Sequence, residues 1–127
     1  MIVADSDVLI DALRGREPAA TRVLAGLSDR SLATTALSAF ELLSGARTED
    51  EEATIEALLG ALQILPFDLA AGRAAARCRR RLETEGQSIG MGDYLIAGLC
   101  ISRGATLLSR NRKHFERVPG LLLGRLE

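Results

Sequence analysis

The chain has 127 residues, of which 47% are hydrophobic and 26% are charged, and its formal net charge is -1. This composition predicts one soluble globular domain over residues 1–127 with a sizeable core, and it excludes a disordered chain. The small net charge excludes a strong overall attraction to nucleic acid, although 15 of the 16 basic residues are arginines, whose forked guanidinium groups bind phosphate bidentately.

The two cysteines, Cys78 and Cys100, lie within apolar helical patterns and form no paired motif. They are therefore expected to be reduced core residues, which favours a cytoplasmic protein. Asp5 and Asp7 stand where a signal peptide requires a basic start, and no apolar run approaches the roughly 18 residues of a membrane span. We expect neither export nor membrane insertion.

Short apolar segments alternate with longer helical patterns, which predicts an α/β fold with a central, mainly parallel sheet and helices on both faces. The predicted strands are residues 2–5, 31–34, 63–65, 105–108 and a weaker edge strand at 121–123. The predicted helices are residues 6–14, 18–27, 38–46, 49–62 and 68–85, and a further helix carrying Asp93 after a glycine-rich loop at 86–92. Helix ends are expected at Gly15, Gly26 and Gly45, and a capping side chain at Asp68.

Three acidic residues, Asp5, Glu41 and Asp93, each stand beside or inside an apolar segment. Asp5 ends the first predicted strand, with Asp7 two residues further on, whereas Glu41 and Asp93 lie in apolar helical patterns. Burial of an isolated carboxylate is unfavourable unless its charge is compensated. A hard divalent cation such as Mg2+ suits this composition because it prefers carboxylate and water oxygens as ligands.

The carboxyl ends of parallel strands form the binding crevice of an open α/β sheet. Asp5 belongs to that edge, and so do Ser109 and Asn111, which follow the last internal strand. Asp93 and Glu41 lie in helices that can reach the same edge. The pattern therefore predicts that these side chains converge.

Simpler explanations exist for the same residues. Helix capping accounts for Asp5, Asp7 and Asp93, since aspartate is preferred at helix amino termini. Glu41 can lie on an exposed helix face. The remaining two residues, Ser109 and Asn111, are of types that are common in turns.

Arginines cluster in RAAARCRRRL and in SRNRKHFERV. The first group, within residues 73–81, is more typical of a solvated helix face than of an RNA track. His114 is the only histidine and is expected to pack in a helix. A single histidine excludes both a two-histidine zinc site and ribonuclease catalysis by a pair of histidines within one chain.

Taken together, the acidic segments resemble the PIN-domain ribonucleases, and among them the VapC toxins of prokaryotic toxin-antitoxin pairs. MIVADSDVLIDALRG is similar to the first motif of that family, and SAFELLSGA to the second, which is centred on a glutamate. GMGDYLIAGLCISRGATLLSRNRKHFERVPGL is similar to the third and fourth motifs together. The order and spacing of the motifs over nearly the full length make the combination specific.

The resemblance implies a PIN-like domain that acts as a toxin by hydrolysing RNA phosphodiester bonds, with Mg2+ or Mn2+ bound by Asp5, Glu41 and Asp93. Supporting positions are Asp7, Ser109 and Asn111. The resemblance also implies a homodimer and a cognate antitoxin that covers the active-site groove. The apolar helical segment at 55–62 is a candidate contact surface, and a core role for it is equally consistent with the pattern.

The fourth motif departs from the family pattern. Many members have a further acid there, whereas this chain has Asn111 and His114. The asparagine amide can orient water or donate to a carboxylate, but it adds no negative charge. We therefore expect one firmly bound cation, with any second cation completed by RNA.

Three alternatives to a nuclease remain open at this point. A haloacid-dehalogenase-like phosphatase also begins with a strand and Asp-x-Asp, but its lysine precedes the last acidic motif, whereas Lys113, the only lysine here, follows Asp93. A phosphoacceptor receiver domain requires an aspartate after its third strand and a lysine after its fifth, and neither position is convincingly filled. A catalytically weak PIN scaffold that binds a partner protein is favoured by the depleted fourth motif.

Overall fold

A computed structural model describes all 127 residues and places five short strands in one sheet. The strands are β1 (Ile2–Ala4), β2 (Leu32–Thr35), β3 (Gln63–Leu65), β4 (Thr106–Leu108) and β5 (Leu122–Leu123). Their order across the sheet is β3-β2-β1-β4-β5, and every neighbouring pair is parallel. The predicted mainly parallel sheet is confirmed, and it is parallel throughout.

Seven helices connect and cover these strands. They are α1 (Ser6–Leu13), α2 (Ala19–Ser28), α3 (Ala36–Ser44), α4 (Glu49–Gly60), α5 (Leu69–Thr84), α6 (Met91–Arg103) and α7 (Arg112–Phe115). Every predicted strand and helix is present, with boundaries within two residues of the prediction. The structure adds α7, which is not predicted because it is too short to produce a helical period in the sequence. None of the helices combines the length and apolarity needed to cross a membrane.

Side-chain caps explain why several helices begin where they do. The Asp68 carboxylate accepts a hydrogen bond of 2.9 Å from the backbone N–H of Ala71, which confirms the predicted cap of α5. The Thr48 hydroxyl caps α4 in the same way, ahead of four consecutive acids in its first turn. Negative charge there complements the positive end of the helix dipole. These acids therefore have a local structural role.

Successive residues of each strand face opposite sides of the sheet, and this alternation separates two hydrophobic cores. Val3 and Leu107 belong to a core that includes residues of α5 and α6, together with the two buried free thiols. Ala4 and Leu108 belong to a second core with residues of α1, α2 and α4. The prediction of helices on both faces is confirmed, and the two cysteines are unpaired core residues as expected.

The segment at 55–62 contributes to the second core. Ile55 and Leu62 are buried in it, and Leu58 and Leu59 pack against it. Of the two roles left open by the sequence, the structure therefore favours the core role for these side chains over an intermolecular contact.

Gly26 corrects one prediction about helix ends. It lies two residues inside α2, which continues to Ser28. A Cβ atom at this position would lie 2.9 Å from Cβ of Leu32 in β2. The glycine therefore allows α2 to approach the sheet closely and does not end the helix.

The arginines of α5 are exposed, as expected for a solvated helix face. Arg79 and Arg81 form ion pairs at a spacing of four residues with Glu83 and Glu85, both at 3.3 Å. Exposed pairs of this kind stabilise a helix by only about 0.3–0.5 kcal/mol. Their geometry is that of ordinary surface pairs.

The close packing of α5 against α6 generates a prediction at Gly98. A Cβ there would lie 2.4–2.6 Å from the backbone nitrogen, Cα and Cβ of Ala75, so Gly98→Ala forces the helices apart. We expect a loss of about 1–3 kcal/mol in the free energy of unfolding, the usual effect of overpacking. Urea denaturation followed by circular dichroism measures it.

Gly60→Ala is the matched control. Gly60 ends α4, and a Cβ there meets no atom within 4 Å. This variant is expected to be neutral or slightly stabilising, because alanine favours the helix. Equal stability of the two variants would show that the contact between α5 and α6 is looser than described.

Candidate active site

The central position of β1 brings residues from the two ends of the chain together. Ala4 pairs with Leu108 in the parallel register, and the backbone N–H of Asp5 donates to the Leu108 carbonyl at 2.9 Å. Asp5 and Ser109 are therefore the first residues beyond two adjacent strand ends. The Ser109 hydroxyl donates to Oδ2 of Asp5 at 2.8 Å and lies 3.4 Å from Oδ2 of Asp7.

Asp5 also caps α1, since its Oδ1 accepts from the backbone N–H of Ser6 at 2.8 Å. The capping explanation is thus correct for this residue, and Asp5 also takes part in the contact with Ser109. Asp7, in the first turn of the same helix, accepts from the backbone N–H of Arg110 at 3.1 Å through Oδ2. Its Oδ1 is buried and has no hydrogen-bond partner. An unpaired buried carboxylate oxygen is unfavourable and is available to a further ligand.

Asp93 lies in the first turn of α6, where Gly90 occupies the capping position without a side-chain bond. Asp93 is therefore not the helix cap. Its Oδ2 accepts from Nδ2 of Asn111 at 3.0 Å and lies 3.0 Å from Nδ1 of His114. Asn111 is connected to the first group of residues as well, because its backbone N–H donates to Oγ of Ser109 at 3.0 Å. Ser109 and Asn111 thus join Asp5, Asp7 and Asp93 in one network.

Glu41 is on α3 and is exposed. It lines a groove of about 460 Å³ together with Leu42 of the same helix, Ile10 of α1 and Ile55 of α4. Burial raises the pKa of Glu41, as do the negative charges of Asp93 and Asp7, while a hydrogen bond from Ser6 opposes the rise. Glu41 is therefore coupled to the network by charge.

The acidic side chains destabilise one another's charged forms. Burial raises the pKa of Asp5 to about 6, and the negative charges of Asp7 and Glu41 add to the rise, whereas hydrogen bonds from Ser109 and Ser6 oppose it. Burial raises the pKa of Asp7 as well, and Arg110 offsets part of that rise through its backbone N–H and its charge. Any divalent cation bound here would relieve this repulsion.

The donor set fits a hydrated hard cation. All four acids offer oxygen ligands, and Asp7 has an oxygen without a partner. No three histidine, cysteine or acidic side chains are close enough in this conformation to form a compact ligand group. Mg2+ commonly retains several waters and takes only one or two carboxylates directly, so such a group is not required. The remaining acids can bind through water.

Two contributors to the network are not predicted from the sequence. The sequence predicts that His114 packs in a helix, but its side chain is partly exposed and lies beside Asp93. The available signal was its spacing of three residues from Asn111, which places both on one side of a helical turn. The sequence does not indicate the contact of Arg110 with Asp7, because Arg110 donates to Asp7 through its backbone N–H, a group that every non-proline residue has.

A model of the PIN-domain family matches residues 2–121. The chain belongs to the PIN-domain family. Among curated relatives of this PIN domain, ribonuclease VapC19 of Mycobacterium tuberculosis is 38% identical over 125 residues, which cover 95% of this chain and 97% of the relative. The tRNA(fMet)-specific endonuclease VapC of Shigella flexneri is 30% identical over 121 residues, which cover 92% and 91%. The chain is therefore a PIN domain of the VapC type.

Solved structures agree with this assignment. VapBC2 of Rickettsia felis, bound to a DNA fragment of its promoter, contains a chain that aligns with a TM-score of 0.85 and 25% identity over 98% of both chains. A DNA-bound VapBC of Salmonella typhimurium aligns with a TM-score of 0.88 and 24% identity, which supports the fold. The phosphatase and receiver-domain alternatives are excluded by the family.

The raised pKa of Asp5 predicts a stabilising substitution in metal-free protein. The folded state holds this proton to about pH 6, whereas the ordinary value is 3.8, so stability falls as the pH rises between those values. Asp5→Asn removes that loss. Above pH 6, we expect the variant to exceed wild type in free energy of unfolding by up to about 3 kcal/mol.

Urea denaturation in chelator at about pH 4 and about pH 8 measures this effect. Near pH 4 the difference should be small, because both forms are then neutral at this position. A variant that is less stable than wild type near pH 8 would contradict the inferred repulsion.

Proposed function

We propose that this VapC-type PIN domain is a Mg2+-dependent endoribonuclease toxin that a cognate antitoxin inhibits, and that Mn2+ can replace Mg2+. Membership of a family whose curated relatives are ribonucleases supports the ribonuclease class. The observation that supports the metal dependence is the set of four acids at the carboxyl edge of the sheet, three of which, Asp5, Asp7 and Glu41, have raised pKa values.

The proposed ligands of the cation are Asp5, Glu41 and Asp93, with Asp7 in support. When bound, a divalent cation supplies Lewis-acid stabilisation of the negative charge that develops on the phosphate during hydrolysis. The protein's own contribution is positional. Ser109 orients Asp5 through its hydroxyl at 2.8 Å and fixes the loop through the backbone N–H of Asn111.

Asn111 and His114 both contact Oδ2 of Asp93, each at 3.0 Å. The Asn111 amide keeps one oxygen of Asp93 in place without adding charge, which supports a single firmly bound cation. The network contains no cysteine and only one histidine, so a covalent route through a thiol or catalysis by paired histidines has no residues to perform it.

The proposed antitoxin site is the groove next to Glu41, whose apolar lining and acidic rim offer a surface for a partner segment. Solved relatives are VapBC complexes, which supports a partner of this kind. We also propose a homodimer, although the side chains of the 55–62 segment mostly serve the core. The free buried thiols of Cys78 and Cys100 support a cytoplasmic location.

The decisive experiment incubates purified, antitoxin-free protein with total RNA and a tRNA panel in Mg2+, in Mn2+ or in chelator. tRNA is included because the Shigella relative is named as a tRNA endonuclease. We expect discrete fragments only with a divalent cation. The double variant Asp5→Asn/Asp93→Asn should lose at least about 100-fold in rate, the usual order when charge stabilisation is removed.

Asp29→Asn is the control, because Asp29 is an exposed acid at the end of α2 and its bond to the Ser31 backbone N–H is one that asparagine can also accept. This variant should cleave like wild type. If folded wild-type protein cleaves no RNA in any cation, the nuclease proposal fails. The partner-binding scaffold, which the depleted fourth motif favours, then becomes the better explanation.

Asn111→Asp tests the role of the missing fourth acid. The substitution places a negative charge about 3 Å from Asp93, where Asn111 Nδ2 now donates. Without cations it should lower the melting temperature through repulsion, and with Mn2+ it should bind the ion about tenfold more tightly. Calorimetric titration with Mn2+ measures the affinity. An unchanged or weaker affinity would mean that position 111 does not face the cation.

A further inference from the structure

Arg110 stands between two residues of the acidic network but takes no part in the proposed metal site. It follows Ser109 and precedes Asn111, directly beyond the carboxyl end of β4. Its backbone N–H is already committed to Asp7. Its side chain is therefore free to act separately from its backbone.

Asp11 holds that side chain. Nε of Arg110 lies 3.1 Å from Oδ2 of Asp11, which is one helical turn beyond Asp7 on α1. Asp11 is buried, whereas the Arg110 side chain is 55% exposed. The other oxygen of Asp11 has no hydrogen-bond partner, and its nearest ion-pair contact is Arg16 at 3.9 Å. A buried carboxylate with so few bonds is unfavourable for stability, which points to a functional reason for its position.

The ion pair contacts Arg110 through Nε. Neither terminal nitrogen of Arg110 donates a hydrogen bond within the protein, so a fork of N–H donors is left for a ligand at the acidic edge. Neighbouring cations differ in this respect. Arg112 donates to the Gly124 carbonyl and pairs with Glu116, and Lys113 lacks the planar fork that binds two oxygens at once.

The acidic cluster requires a positively charged group nearby if it is to bind a phosphodiester. Four carboxylates repel an approaching phosphodiester, and a cation bound among them offsets only part of that charge. A guanidinium next to Asp7 attracts the phosphate and can bind two of its oxygens. This argument rests on the proposed function, since it assumes that RNA is the molecule that approaches.

We propose that Arg110 binds a backbone phosphate of the RNA substrate through its terminal nitrogens, and that Asp11 is a positioning residue that holds the guanidinium in the required orientation. RNA is favoured over a carboxylate of a protein partner because the free fork lies beside the residues proposed to act on phosphodiesters.

The test measures RNA affinity apart from cleavage. Fluorescein-labelled tRNA is titrated by anisotropy at several salt concentrations, with every variant in an Asp5→Asn background so that the RNA stays intact. Arg110→Gln is expected to weaken binding about tenfold, the order expected for a lost charged hydrogen bond. It should also reduce the slope of log affinity against log salt by about 0.7–0.9, the range for one phosphate contact on single-stranded or double-helical nucleic acid.

Arg16→Gln is the matched control, since it removes the same charge and also faces Asp11, at the longer distance of 3.9 Å. It should bind RNA within about twofold of the parent, because Arg16 is not part of the proposed phosphate contact and salt screens the remaining effect of its exposed charge. Arg110→Lys should keep the salt slope while losing part of the affinity. If Arg110→Gln fails to fold, the loss of RNA affinity in Arg110→Lys serves as the test instead.

Asp11→Asn separates positioning from simple charge. Removal of a negative charge alone would tighten RNA binding, whereas loss of a positioning residue weakens it. We expect weaker binding, by about threefold to tenfold, with the salt slope nearly unchanged because Arg110 keeps its charge. In cleavage assays with Asp5 restored, the Arg110 variants should raise KM more than they lower kcat.

The proposal is overturned if Arg110→Gln binds tRNA as well as Arg16→Gln does, if Asp11→Asn binds more tightly, or if the parent binds no RNA. These outcomes differ from failure of the nuclease proposal. Wild-type protein that binds RNA through Arg110 but never cleaves it would remove the nuclease activity and retain this inference. Wild-type protein that cleaves RNA without any effect of Arg110 would do the reverse.

Discussion

Repulsion among carboxylates at one edge of the sheet is the constraint on which the rest of the site depends. Asp5 and Asp7 are held partly or fully away from water, and Glu41 and Asp93 add charge close by. Such a cluster is unfavourable without compensation. The Ser109 hydroxyl, the Asn111 amide and backbone N–H groups supply part of that compensation, which leaves a deficit suited to a divalent cation.

The fold maintains this arrangement through the pairing of β1 with β4. Asp5 and Ser109 are separated by more than a hundred residues in the chain, yet they are direct neighbours because Ala4 is paired with Leu108. The strands are short, so the register of their pairing depends on the two cores into which alternate residues of each strand pack. A shift of one residue would exchange the two faces of the sheet and separate the acids. The core packing therefore also determines the geometry of the site.

Much of the fold and the acidic set could be predicted from sequence, because the signals are local. Strand ends followed by lone acids, helical periodicity and capping residues such as Asp68 are all visible in short windows. Features that depend on a distant partner were not visible. Gly26 predicts a helix end from the local sequence, whereas its actual role depends on the contact with Leu32 of β2. The local sequence predicts that His114 packs in a helix, whereas the structure places it beside Asp93 of α6.

The sequence by itself determined the elements, their α/β alternation and the residue types available for metal chemistry, since these follow from hydrophobic period and side-chain chemistry. Only the tertiary structure decided which polar groups meet. Asn111 contacts Asp93. Arg110 donates to Asp7 through its backbone N–H and pairs with Asp11 through its side chain. These contacts form because the ends of β1 and β4 lie side by side. Contacts between segments far apart in the chain depend on strand order and register, which no local pattern encodes.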